Sequence, residues 1–86
     1  MAPGTHDPKR AAAIAEESRR VHRLQLTVGL VMKVISEGDL RFEEASEMVA
    51  ATRRVALNLF PGKEGAFALL YQPRLQRLLT QKYRLH

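Results

Sequence analysis

Glu43, Glu44 and Glu47 lie close together in the chain, with arginines nearby. Carboxylates grouped in this way can divide general-acid and general-base roles. Acidic residues in the opening turn of a helix are also what the helix dipole favours. Ser18, Ser36 and Ser46 have neither a glycine elbow nor a base at a recognisable spacing. His6, His22 and His86 share no metal-ligand spacing, and the absence of cysteine removes thiolate metal sites and thiol chemistry. No catalytic constellation emerges, so the chain is expected not to be an enzyme and to need neither a metal nor another cofactor.

Two short stretches resemble ligand loops and fail on chemistry. In "EGDLRFEE", Gly38, Leu40 and Glu44 fit the second half of a calcium loop. The first half would have to draw oxygen ligands from Lys33, Ile35 and Glu37, and lysine and isoleucine supply none. In "PGKEG", the Gly62-Lys63 pair resembles a phosphate loop, but Leu57 stands where the first glycine belongs. Glu64 stands where a serine or threonine belongs and would repel phosphate.

The basic residues form three groups. Arg19, Arg20 and Arg23 fall late in a first helix, Arg53 and Arg54 in a second, and Arg74 and Arg77 near the C-terminus, followed by Lys82 and Arg84. They are the candidate contacts to a nucleic acid backbone. Solvated helix faces, with cations toward helix C-termini, account for the same residues. The few aromatic residues fall mostly on apolar stripes, which argues against stacking on single-stranded bases.

The chain of 86 residues carries a formal charge of +5, and 45% of its residues are apolar. That length suits one domain, and a chain this short buries only roughly 60–65% of its unfolded surface. The basic balance lies in residues 8–37 and 61–86, and favours acidic partners. "KRAAAIAEESRR" loses its apolar run at Glu16 and Glu17, too early for a signal peptide. "LQLTVGLVMKVI" is too short to cross a bilayer as a helix. No membrane span is expected, and the protein is read as cytoplasmic.

The elements that must carry these residues are helices. Residues 1–7 are expected to be a flexible leader and residues 8–86 a single helical domain. Asp7-Pro8 is a helix start, with the aspartate as cap and proline at the first helical position. Ile14, Val21, Leu24, Val28, Val31 and Ile35 form one stripe, and Gly38 ends the helix. A second helix runs to Leu59 with the stripe Phe42, Ala45, Val49, Thr52, Ala56 and Leu59. Pro61-Gly62 turns the chain. A C-terminal helix follows, broken or kinked at Pro73, with Phe67 and Leu70 before the break and Leu75, Leu78 and Leu79 after it. The fold class is therefore all-α, a small bundle of three main helices.

One segment supports a rival reading. Leu24, Leu26, Val28, Leu30, Met32 and Val34 alternate strictly, which is the period of a strand. With residues 23–28 as a strand paired to a second copy, the order of strand, helix, turn and helix resembles a ribbon-helix-helix repressor. Such a resemblance implies a dimer whose paired strands enter the major groove, with Arg23, Gln25 and Thr27 facing outward. "LVMKVISE" is short and apolar for the helix that would follow, and the long second helix and the further C-terminal helix depart from that pattern.

Read as a helix, the same segment is apolar on nearly every side. Leu26, Leu30, Met32 and Val34 lie outside the main stripe and form the candidate partner interface. The leading expectation is a small helical protein-interaction module that associates with itself or joins a larger assembly. The alternative is a basic nucleic-acid-binding accessory protein.

Overall fold

A computed structural model describes residues 7–84 of the chain. The expected leader lies outside the described residues, apart from Asp7. The fold is all-helical: α1 Pro8–Glu37, α2 Phe42–Leu59, α3 Glu64–Leu70 and α4 Gln72–Tyr83. Among the described residues there is no strand. The break near Pro73 separates two helices, because Tyr71 intervenes between α3 and α4 and Pro73 is accommodated in the first turn of α4.

α1 starts as its sequence dictates. The Asp7 carboxylate accepts a hydrogen bond from the Lys9 backbone N–H at 3.0 Å. The helix then runs 30 residues without interruption, so the paired-strand reading of residues 23–28 is overturned. The alternation from Leu24 to Val34 is the sum of two helical stripes on opposite faces. Leu24, Val28, Val31 and Ile35 point one way and Leu26 and Leu30 the other, with Val34 at the edge between them. A capped, strongly helical flank on the N-terminal side propagates through the segment cooperatively.

α2 runs back along α1. Its buried face is small: Ala45, Val49, Thr52 and Ala56. Alanines at this contact let two helices approach closely. The buried Thr52 hydroxyl donates to the Met48 carbonyl at 2.8 Å, so no polar group is stranded there. At the other end of α2, Phe60, Pro61, Gly62 and Lys63 form a turn. The Lys63 N–H donates to the Phe60 carbonyl at 3.1 Å, and Gly62 has φ 79°. Proline followed by a positive-φ glycine is the arrangement of a type II turn. It directs Phe67 of α3 into the core beside α2, with Phe60 packed against it.

α4 closes the fold. Leu75 and Leu79 are buried against Ile35 and Val28 in one cluster. At its C-terminal end, the Lys82 ammonium donates to the Ser36 and Gly38 carbonyls, each at 3.0 Å. These lie at the C-terminus of α1, where a cation is favoured. The Tyr83 hydroxyl donates to the Leu40 carbonyl at 2.7 Å, and its ring meets Phe42 edge-on at 5.6 Å. Gly38 caps α1 in an extended conformation, φ −84° and ψ 172°. A Cβ there would stand 2.5 Å from the Val34 carbonyl oxygen, so glycine is required by contact and not by handedness.

α1 has 30 residues and α2 has 18. At about 1.5 Å per residue the first helix outruns the second by roughly 18 Å. The core ends with it: Leu24 is the first buried residue of α1, while Val21 and Ile14 are exposed although they continue the same stripe. The shape follows. The radius of gyration is 16.9 Å, against about 12 Å for a compact domain of this length.

Gly62→Val should destabilise the fold by about 1–2 kcal/mol through its positive φ, while Lys63→Ala leaves stability unchanged. Equal midpoints for both variants in urea unfolding would contradict this. Tyr83→Phe, which strands the Leu40 carbonyl, should cost about 1 kcal/mol in the same assay.

Candidate interaction surfaces

The outward face of α1 brings together part of the expected partner interface. Leu26, Leu30 and Val34 recur at four-residue spacing and share one face, with Leu26 61% and Leu30 63% exposed. Val34 is less open, at 37%. Leu30 points away from the core, because it lies about 160° around the helix from Val28, at about 100° per residue. Met32 is not part of this face. It lies about 200° around the helix from Leu30, half-buried against the core in a shallow recess with Arg74, Arg77 and Leu78 of α4.

The same face carries charge at both ends. Arg19 and Arg23 precede Leu26, and Glu37 follows Val34, all three exposed. Gly29 flanks it, and a Cβ at Gly29 would meet nothing within 4 Å. Glycine inside a helix costs roughly 0.5–1 kcal/mol relative to alanine, and no contact within the chain requires it here.

The arginine groups stay on separate elements. Arg19, Arg20 and Arg23 lie along α1, Arg53 and Arg54 on α2, and Arg74 and Arg77 on α4. Arg20 pairs with Glu16 at 3.2 Å and Arg54 with Glu47 at 3.1 Å. Both pairs are exposed, so each contributes little to stability. No ion pair among the described residues involves Arg19, Arg23, Arg53, Arg74 or Arg77. The acidic group at 43–47 is also dispersed in role. Glu44 accepts from the Arg41 backbone N–H at 2.9 Å as part of the helix start, and Glu47 holds Arg54. Among the described residues, no three His, Asp or Glu side chains converge on a common point that could hold a metal. No helix there is long and apolar enough to cross a membrane.

A further surface escaped the sequence reading. Where α2 ends, Val21, Phe60, Phe67 and Leu70 line an open apolar groove of about 300 Å³, with Glu17 and Lys63 also in its wall. Leu69, beside it on α3, is 81% exposed. The turn at residues 60–63 is thus a joint between helices that also lines a recess.

No family model, curated protein or solved structure matches the chain.

Proposed function

We propose that this chain is a non-enzymatic protein-interaction module that works by associating with itself or with a larger assembly through α1. One observation carries the reading: Leu26, Leu30 and Val34 form an exposed apolar stripe on α1, with Leu26 and Leu30 turned away from the core and Val34 at its edge. Isolated exposed leucines are ordinary on soluble proteins. A stripe at helical spacing over two turns is the pattern by which one helix recognises another. Burying such a leucine fully is worth about 1.5–3 kcal/mol, a useful contribution for a domain with a small core. In this reading the four helices act as a bundle, α3 and α4 forming one kinked arm, whose task is to hold α1 straight and present its outer face.

A second reading is supported by arginines that take part in no ion pair among the described residues. In it, Arg19 and Arg23 on α1, with Arg53, Arg74 and Arg77, contact the phosphates of a nucleic acid. Their placement on three helices favours diffuse electrostatic attraction over a single groove-reading element.

The readings separate in solution. For self-association, the thermal midpoint rises with protein concentration, since assembly stabilises the folded state by mass action. Leu30→Glu should abolish that dependence while leaving the low-concentration midpoint within about 0.5 kcal/mol of the parent, as for a surface substitution. A concentration-independent midpoint in the parent chain counts against self-association. For nucleic acid, binding to duplex and single-stranded probes must weaken steeply as salt rises. An absence of binding at low salt ends that reading.

A further inference from the structure

Between Arg23 and Glu37 the outward face of α1 is nearly palindromic. Leu30 is its centre. Leu26 and Val34 lie four residues to either side, and Arg23 and Glu37 seven residues to either side. All five lie on one face, and all are exposed. The charges at the two ends are opposite, and neither Arg23 nor Glu37 takes part in an ion pair among the described residues.

Under a two-fold axis, such a pattern is complementary to itself when the helices run antiparallel. We propose that the occupant of this face is a second copy of the chain, docked α1 against α1 in antiparallel register with the axis at Leu30. In that register Leu30 meets its own counterpart. Leu26 lies level with Val34 of the other copy, and Arg23 level with its Glu37. The pair of copies therefore gains two ion pairs from one kind of contact. A parallel register would oppose Arg23 to Arg23 and Glu37 to Glu37, and like charges in contact are disfavoured. The seam covers about four helical turns of one helix, less than the roughly 800 Å² per partner of a standard stable interface. The dimer is therefore weak and reversible.

This inference rests on the self-association reading and adds the partner, the orientation and the register. The chain has no cysteine, so single cysteines report geometry cleanly. Leu30→Cys, at the axis, should oxidise to a covalent dimer much faster than Arg53→Cys on the exposed side of α2, because only the first brings two thiols within bonding distance. Sedimentation at low salt should show Arg23→Glu and Glu37→Arg each weakening the dimer roughly tenfold, and the double variant recovering most of the loss. Circular dichroism verifies that each variant is folded. A dimer in which the double variant stays as weak as either single, or in which Leu30→Cys cross-links no faster than Arg53→Cys, overturns the register and leaves self-association standing. A chain that sediments as a monomer throughout overturns both.

Discussion

Both α2 and α4 are organised on one face of α1, and α3 packs on those two helices. That face, through Leu24, Val28, Val31 and Ile35, receives α2 on one side and α4 on the other. The remaining helices have 18, 7 and 12 residues. They suffice to cover one side of a 30-residue helix over part of its length and no more. Two consequences follow from this mismatch. The N-terminal part of α1 extends beyond the core, and the outer stripe at Leu26, Leu30 and Val34 remains in contact with water. A chain with so little material could have avoided the second by placing polar residues there. It carries leucines instead, and the self-association account gives them a use.

Closure of the fold depends on long-range polar contacts at one corner. Lys82 and Tyr83 together bond three carbonyls at and just beyond the C-terminus of α1. A helix end leaves carbonyls without partners inside the helix, so α4 supplies what α1 lacks there. The same contacts fix α4 beside α1, bring Phe42 and Tyr83 together, and brace the part of α1 that carries Val34 and Glu37. The opposite end is held differently, by Phe60 and Phe67 around a positive-φ glycine, and is more open. Local opening should begin there, where exposed residues outnumber buried ones along α3.

Much of this architecture was legible in the sequence. The stripes of α2 and α4 are buried residue for residue from Ala45 to Ala56 and at Leu75 and Leu79, because a helical period reports directly which side faces inward. The Asp7-Pro8 start and the turn at Pro61-Gly62 follow from local backbone chemistry. The misses are of another kind. Ile14 and Val21 satisfy the stripe of α1 but find no core, since burial depends on where α2 and α3 end in space. Met32 matched its apolar neighbours in the strand-like alternation, yet helical geometry sends it to the α4 side. The alternation itself arose from two interleaved helical stripes, and only the continuity of the helix from Pro8 resolves it. The reach of Lys82 and Tyr83 across more than forty residues, and the groove at Phe60 and Leu70, belong to tertiary arrangement and left no short-range signal.

The central claim is that the outer face of α1 is covered by a second copy of this chain. Sedimentation equilibrium of the unmodified chain over the micromolar range tests it most directly. The account predicts a reversible rise in weight-average mass toward twice that of the chain, fitted by a monomer–dimer equilibrium and lost in Leu30→Glu. A mass that stays at that of one chain across the whole range, or a rise that persists unchanged in Leu30→Glu, would contradict it.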